Sequence, residues 1–577
     1  MSRRYRPVVT RPVPATMTLD SAMPALLRRI YAAREVTSAE ALDTGLAGLV
    51  PVGAFAGLGP AVARLLEARL RGERVLIVGD FDADGATSTA LLMRGLAALG
   101  FPAVDYLVPN RFETGYGLGP EVVELATLRQ PGLLITVDNG IASVEGVAAA
   151  NRRGIDVIVT DHHLPGDQLP DACALVNPNL PGEPFPHKHL AGVGVAFYLL
   201  AALARCLADR GEVDRAAPRQ ITAWLDLVAL GTVADVVPLD HNNRILVAQG
   251  LQRIRAGRCS PGVLALLRAG GRDPTRASAA DLGFAAGPRL NAAGRLTDMS
   301  VGIACLLTDD PVTAARLAGE LDALNRERRL LEARMREEAE TLVEALPVAA
   351  SAQLPPALTL YRPDWHQGVV GLIAARIRER HHRPVVAFAP DGQGRLKGSA
   401  RSVPALHIRD TLERVAVTCP GLIEGFGGHA MAAGLTLREG ALDAFTEAFS
   451  AAAGERLEPS QLRGELLTDG ELTADELSLE TAEMLEAAGP WGAGFEEPSF
   501  QGRFEVLAAR EVGSGHLRLT LATPGGAGRV GAIAFGCPVP WPLPGETVEL
   551  VYRLQVNAWQ GRREAQVLVE HLQPPGP

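Results

Sequence analysis

From Arg74 to about Ala202 the chain alternates short apolar runs with amphipathic stretches of helical period. In order these are VLIV (75–78), ATSTALLMRGLAAL, VDYLV, EVVELATL, LLITV (133–137), SVEGVAAANRR and DVIVT (156–160). A short continuous apolar run fits a strand buried on both faces, and strand–helix alternation predicts βαβ units in a mostly parallel sheet. Two further helical segments, LAGVGVAFYLLAALARCLA and ITAWLDLVALGTVADVVPL, extend this α/β domain to about residue 310.

Between Pro311 and Pro347 the pattern changes to one long polar helix, and from Asn325 onward NRERRLLEARMREEAETLVEAL holds neither Gly nor Pro. Such a stretch predicts a solvated, ion-paired helix that connects one domain to the next. A second α/β segment runs from about Leu358 to Phe449 and contains VVGLIAARIRER, RPVVAFAP and the Gly-rich GFGGHAMAAG. After Leu462 the pattern is that of strands between Gly and Pro turns: FQGRFEVLA, HLRLTLAT, GRVGAIAF, ETVELVYRLQV and EAQVLVEHL. A small closed or partly open β-barrel is expected there, the oligonucleotide-binding barrel being one candidate. The expected division is an N-terminal tail and helical segment (1–70), an α/β domain (71–310), the connector helix (311–346), a second α/β domain (347–455) and the barrel (456–577).

A chain of 577 residues is too long for one core, and its 47% hydrophobic and 21% charged content is that of folded domains. The net charge of −10 argues against coating nucleic acid by overall positive charge. A polyanion site must then be local, and carboxylates that gather metal ions reverse the field where they stand. The six cysteines are scattered without a C-x-x-C pair, which predicts reduced, mostly buried thiols in a cytosolic protein. Met1 to Pro14 carries four Arg but no apolar run, so a flexible tail is expected rather than a secretory leader. No stretch approaches the ~20 uninterrupted apolar residues of a membrane span. A soluble, cytoplasmic protein is the expectation.

The chemistry concentrates where strands end. VLIVGDFDADG runs out of a strand into Asp80, Asp82 and Asp84, LLITV delivers Asp138, and DVIVT delivers Asp161, His162 and His163. In parallel sheets ligands bind beyond the carboxyl ends of the strands, so these groups are expected on one rim. An EF-hand is excluded, because the twelfth position is Leu91 and a strand precedes the loop. Aspartates in loops most often cap helices and tighten turns. So many carboxylates on one rim, however, repel without cations, which favours a metal site. Oxygen ligands with imidazoles and no thiolates suit Mg²⁺ or Mn²⁺. Two ions about 3.5–4 Å apart are the recurrent device for phosphate ester hydrolysis.

Read in order, GDFDADGATSTA, VPNRFETGYGLGP, TVDNGI, VTDHHLPGD, NPN, LAGVGVAFYLL, DLVALGTVADVVPL, GPRLNAAGR, WHQGVVGLIAARI, LKGSARS and GFGGHAMAAG resemble the DHH phosphoesterase superfamily. The full series, which covers nearly all of the chain, is similar to its single-stranded-DNA-specific exonucleases. The resemblance implies a DHH catalytic domain, a DHH-associated domain that grips substrate and an oligonucleotide-binding-type barrel. It makes Asp80, Asp82, Asp84, Asp138, His162 and Asp235 the candidate ligands of two Mn²⁺ or Mg²⁺ ions, with Asp138 as the bridge. Asp161 would orient a ligand histidine, and His163 would contact the scissile phosphate.

Candidate substrate contacts are Arg111, Ser399 and Arg401, whose guanidinium and hydroxyl groups suit a phosphate. Gly427, Gly428 and His429 would bring backbone amides close to one, and Arg289, Asn291 and Arg295 would line a sugar-phosphate chain. Isolated, each has a plainer reading as surface Arg or tight turn. His366 and His407 are weaker candidates, as is the turn of Trp559, Arg562 and Arg563.

The implied activity is removal of mononucleotides from single-stranded DNA in the 5′ to 3′ direction, in recombination and mismatch repair. A single-strand-binding protein and a DNA helicase are the implied partners, and a monomer is the expected state. The alternatives are a DHH hydrolase of oligoribonucleotides, cyclic dinucleotides or pyrophosphate, which would need neither connector nor barrel, and a non-catalytic single-strand-binding scaffold, which predicts broken carboxylate positions.

Overall fold

The apolar runs that open the sequence pattern are the central strands of one parallel sheet in the computed structural model. The structure describes residues 6–14, 19–110, 115–346, 354–513, 515–526, 528–537, 541–559 (the backbone alone at Trp559) and 561–574. The sheet contains β1 (Val75–Gly79), β2 (Val104–Leu107), β3 (Leu133–Val137), β4 (Asp156–Thr160) and β5 (Ala174–Val176), in the order β2-β1-β3-β4-β5. Every residue of β1 and β3 is buried, which accounts for their lack of polar alternation. The order reverses between β1 and β3, the switch point at which open α/β sheets bind ligands. Gly79 lies opposite Val137 and Val137 opposite Thr160, so β1, β3 and β4 end in step. The residues that follow them, Asp80, Asp138 and Asp161, therefore leave the sheet at one level.

The chain forms two compact units, Thr10–Asn325 with Leu467–Pro577, and Met1–Val9 with Arg326–Leu466. In the first unit the helices Ala83–Ala98, Gly192–Asp209 and Leu225–Ala234 bury their apolar residues against the parallel sheet in one core. Gly192–Asp209 is long and apolar enough to cross a membrane by composition, but 67% of it is buried inside the molecule. Among the described residues 6–14 of the expected tail, part is structured, and the helical segment beyond it is packed. Val8–Thr10 is a strand, Arg11 donates its backbone N–H to Thr468 at 2.8 Å, and Tyr31, Phe55, Leu58 and Leu65 join the core. Of the six cysteines Cys305 alone is fully buried, Cys173 is exposed and none forms a disulfide, so the thiols are less buried than expected.

The connector is the helix Pro311–Ala345, and it is less solvated than its charges predict. Ala314, Leu317, Ala318 and Leu321 pack into the core of the first unit, whereas Met335, Ala339 and Val343 pack into the second. These apolar positions recur every three or four residues within a polar background, which is why the stripe is easily overlooked. Ion pairs such as Arg328 with Glu332 lie beside it.

The second unit holds β6 (Leu358–Tyr361), β7 (Val385–Pro390), β8 (Arg395–Arg401), β9 (Gly425–Gly428) and β10 (Ala432–Arg438), in the order β9-β10-β8-β7-β6. Only β6 and β7 pair in parallel, so this sheet is mixed. In the first unit, the C-terminal strands β11 (Phe500–Val512), β12 (His516–Ala522), β13 (Arg529–Ala534), β14 (Thr547–Trp559) and β15 (Arg562–Gln573) close into a barrel in the order β11-β12-β13-β15-β14.

Candidate metal centre

The loop after β1 turns directly into the helix Ala83–Ala98, and Asp82 caps it: its Oδ1 accepts the N–H groups of Asp84 and Gly85, each at 3.0 Å. Capping and metal binding are thus compatible, because a carboxylate has a second oxygen. Asp80 accepts the Phe81 N–H at 2.7 Å. Asp84 lies in the first turn of that helix, where its two oxygens accept the N–H groups of Gly192 (2.6 Å) and Val193 (2.9 Å), pinning the start of the helix Gly192–Asp209. Asp138 follows β3 with φ +61°, a left-handed conformation uncommon for a residue with a side chain. The main chain crowds it closely, since a Cβ on Gly192 would come within 2.7 Å of the Asp138 Cβ. Asp235 stands at the C-terminal end of the helix Leu225–Ala234.

These elements bring all seven residues of the predicted cluster together. Ligand atoms of Asp80, Asp82 and Asp138 lie within 4.8 Å of one another, as do those of Asp84, His162 and Asp235, and those of Asp138, His162 and His163. His162 Nε2 is 3.1 Å from Asp138 Oδ1 and 3.5 Å from Asp235 Oδ2. Both His162 Nε2 and Asp138 Oδ1 are buried without a hydrogen-bond partner. Two unsatisfied acceptor-type atoms facing each other are costly unless a cation or proton lies between them, so the residues fit a metal ion.

Charge crowding gives the same result. Burial and the charge of Asp82 push the Asp84 carboxyl up to about 7. Burial, then Asp84, Asp82, Asp235 and Asp80, drives Asp138 well above the usual carboxylate range. Asp235 is raised by burial and by Asp84, Asp82 and Asp80. Burial and the neighbouring His163 lower His162 to about 4, leaving it neutral and able to donate a lone pair.

Asp161 has a different partner from the one expected. Its Oδ1 is 2.7 Å from His163 Nδ1 and also accepts the backbone N–H groups of His162 and His163, while Oδ2 accepts that of Ile141. It orients His163, the phosphate-contact candidate, rather than His162, the candidate ligand. Burial lowers the His163 pKa, but the hydrogen bond and charge of Asp161 overcome this and leave it raised.

Supporting residues inside the quoted motifs escaped the sequence reading. Tyr116 donates its hydroxyl to the Asp138 carbonyl at 3.1 Å and lies 3.4 Å from His163 Nδ1. Asn177 and Asn179 of NPN hold the carbonyls of His163 and His162 at 2.9 and 2.7 Å. Their spacing in NPN was the available signal.

The predicted substrate contacts divide. Arg289 pairs with Asp322 at 2.7 Å and donates to the carbonyls of Ala285 and Ala269, with 11% of its side chain exposed. It is a structural tie, with its guanidinium occupied inside the fold. Asn291 accepts the Ala83 N–H on its Oδ1 at 2.8 Å and so braces the aspartate loop. Arg295, in the last turn of the helix Gly287–Leu296, is half-buried.

In the second unit Ser399 and Arg401 sit two apart on β8, hydrogen-bonded to each other at 3.1 Å, beside Gly371 of the helix Gln367–His381. Gly427, Gly434 and Ser399 form one row across β9, β10 and β8, next to the row of Gly428, Ala433 and Ala400. His429 is exposed just beyond β9. His366 and His407 are caps, accepting the N–H groups of Gly368 and Asp410. Arg111 and the side chain of Trp559 lie outside the described residues.

A parallel sheet with an Asp/His cluster at its switch point, joined by a helix to a mixed sheet and carrying a closed five-stranded barrel, defines a metal-dependent phosphoesterase of the DHH class. Sequence profiles agree: the DHH family, N-terminal domain, matches residues 74–232, the DHHA1 domain 354–455 and the RecJ OB domain 468–571. The chain is 53% identical over 576 residues to the single-stranded-DNA-specific exonuclease RecJ of Salmonella typhimurium, covering 99% of this chain and 100% of that protein. Its structure is similar to that of RecJ from Thermus thermophilus in complex with Mn²⁺, with TM-score 0.78 and 34% identity, covering 96% of this chain and 76% of that one. The Mg²⁺ complex of the same protein gives TM-score 0.73 at 33% identity, covering 96% and 75%. The chain belongs to the RecJ family of single-stranded-DNA-specific exonucleases.

Proposed function

We propose that the protein degrades single-stranded DNA from its 5′ end to mononucleotides by metal-dependent phosphodiester hydrolysis. The observation that carries this reading is the overlap of the donor groups: Asp138 belongs both to the group with Asp80 and Asp82 and to that with His162 and His163, and His162 also joins Asp84 and Asp235, as two adjacent ions would require. Bound Mn²⁺ or Mg²⁺ supplies Lewis acidity toward a phosphate diester. Asp80, Asp82 and Asp138 would hold one ion, and His162, Asp235 and Asp84 the other, with Asp138 beside His162 where the two groups meet. Asp84 also keeps the helix Gly192–Asp209 in place through its two backbone contacts.

His163 acts on the substrate. Asp161 orients its imidazole through Nδ1, and the raised pKa favours the charged form that donates to a phosphate oxygen. Arg295, Ser399, Arg401, Gly427, Gly428 and His429 are the proposed contacts to the DNA backbone, with Arg111 a further candidate. Ser399 and Arg401 suit a terminal phosphate because hydroxyl and guanidinium share one sheet face.

The setting proposed is recombination and mismatch repair in the cytoplasm. There the enzyme works as a monomer on strands opened by a helicase and held by a single-strand-binding protein. Digestion of a long 3′-labelled single strand with Mn²⁺ or Mg²⁺, beside its duplex and an RNA of the same sequence, tests the reading. Progressive shortening of the labelled DNA strand alone is expected. Internal cuts, loss of label as the first product, or equal rates on duplex would overturn it.

A further inference from the structure

The chain just after Asp235 is strained. Val236 has φ +63°, a conformation unfavourable for a β-branched side chain, and it is 68% exposed, so its own packing does not hold it there. A residue in such a region persists only where its surroundings over-determine it. The surroundings here come largely from the far end of the sequence. Leu239 donates its backbone N–H to the carbonyl of Ala493 at 2.7 Å. Ala493 lies in a tight turn closed by reciprocal bonds between the backbones of Gly492 and Phe495, at 2.9 and 3.1 Å. Glycines let the two loops meet. A Cβ on Gly492 would lie 2.6 Å from Leu239 Cδ1, and one on Gly494, whose φ is +67°, 3.0 Å from Pro238 Cβ. On the other side Asn243 holds the carbonyls of Pro238 and His189 at 2.9 and 2.6 Å.

The turn is itself anchored. Phe495 stacks on Trp491 with ring centroids 5.1 Å apart, and the Arg244 guanidinium lies 4.0 Å from the Phe495 ring centre. Arg34 donates to the Glu496 carbonyl at 2.8 Å and makes a bidentate pair with Asp469, at 2.7 and 3.0 Å, with both side chains almost wholly buried. Asp469 in turn accepts the Ser499 N–H, one residue before β11.

We propose that the turn Gly492–Phe495, which leads into the barrel, is a positioning element for Asp235: it clamps the loop Val236–Leu239 and so fixes where the carboxylate stands in the metal centre. The barrel domain thereby contributes to ion affinity without touching an ion. The proposal rests on reading Asp235 as a metal ligand. The helix Leu225–Ala234 fixes Asp235 on its N-terminal side, where its N–H bonds the Gly231 carbonyl at 2.9 Å, but on its C-terminal side it is followed directly by the strained Val236 and the clamped loop, whereas Asp80 and Asp138 follow strand ends and Asp82 caps a helix. Loosening the clamp should therefore weaken one ion position and spare the other.

The test is Mn²⁺ binding by calorimetry to the full-length protein without DNA, together with thermal unfolding of the metal-free form and kcat and KM on a single strand. Gly494→Ala, with Gly492→Ala as a milder variant whose effect comes from contact alone, should weaken one class of Mn²⁺ site by about 10-fold, the scale seen when a supporting residue around a metal ligand is removed. The KM for DNA should hold, and kcat should fall at limiting Mn²⁺ and recover at saturation. Adding Val236→Gly, which takes a positive φ without strain, should restore part of the affinity in the Gly494→Ala background. Unchanged Mn²⁺ binding in both glycine variants, with only a lower melting temperature, would show the turn to be merely structural and overturn the proposal. Asp235→Ala separates the two ideas: if it too binds Mn²⁺ like the parent protein, Asp235 is no ligand and the reading beneath the proposal fails. If Asp235→Ala loses a site while the glycine variants keep theirs, the clamp alone fails.

Discussion

His162 Nε2 and Asp138 Oδ1 face each other at 3.1 Å, both buried and both without a hydrogen-bond partner. Asp138 is also the residue held with a positive φ directly after a central strand. A carboxylate placed at such cost is expected to be indispensable. Asp138→Ala should slow hydrolysis by roughly 10³-fold or more, the equivalent of several kcal/mol of lost charge stabilisation, while single-strand binding in a filter or anisotropy assay persists. A variant with parental turnover would remove Asp138 from the centre.

Asp161→Asn should separate orientation from ligation. The amide can still accept one of the N–H groups that the carboxylate accepts, but it no longer supports a charged His163. Turnover should drop by about 10- to 100-fold. Because the Asp161 hydrogen bond and charge are what raise the His163 pKa against burial, the alkaline limb of the pH–kcat profile should move to lower pH. Mn²⁺ affinity should stay close to that of the parent, since the partner of Asp161 is His163 and not His162. A profile that does not move would count against a charged His163.

The metal-free protein should lose stability as pH rises. Asp84, Asp138 and Asp235 hold protons more tightly folded than unfolded, where Asp titrates near about 3.9. The folded chain then binds more protons, and stability falls from about pH 4 upward through the folded values, about 7 for Asp84. His163, raised on folding, acts in the same sense. His162, lowered to about 4, acts in the opposite sense up to its unfolded value, but it is one group against four. Scanning calorimetry of the metal-free protein should show a lower melting temperature at pH 8 than at pH 5. Mn²⁺ at 100 times its Kd should restore about 2.7 kcal/mol per ion. Equal melting temperatures at the two pH values without metal would contradict the crowding argument.

Two arginines that look alike in sequence should behave differently. Arg401→Ala should weaken single-strand binding and reduce the slope of log affinity against log salt by roughly 1, as expected for one lost phosphate contact. Arg289→Ala should leave that slope unchanged and instead destabilise the first unit by about 3 kcal/mol, the scale for breaking a largely buried ion pair. Salt titrations and thermal melts of both variants read the two effects. A changed salt slope for Arg289→Ala would restore it as a DNA contact.

The positions of Asp80, Asp138 and His162 were legible because a strand end is a local feature: an apolar run stops and the next residues must project from the rim. The barrel was legible for the same reason, through alternating strands between turns. What the local pattern did not carry is pairing over long range. Nothing around Arg289 points to Asp322, nor around Asn291 to Ala83, and both look like surface groups until the chain is folded. The DHH triplet shows the same limit. Its spacing identifies a site, but which histidine takes Asp161 depends on how the backbone turns after β4. The second sheet was read as α/β without its mixed pairing, because strand direction follows from connections rather than from composition.

The in-step ending of β1, β3 and β4 limits how this enzyme can diverge. One residue inserted or deleted in any of the three strands would carry its terminal aspartate about 3.3 Å along the sheet and turn it to the opposite face. Loops remote from the metal centre can lengthen without penalty to the chemistry, but these three strands must keep their residue count. Length variation among descendants of this chain should therefore accumulate away from the centre and never between Val75 and Gly79, Leu133 and Val137, or Asp156 and Thr160.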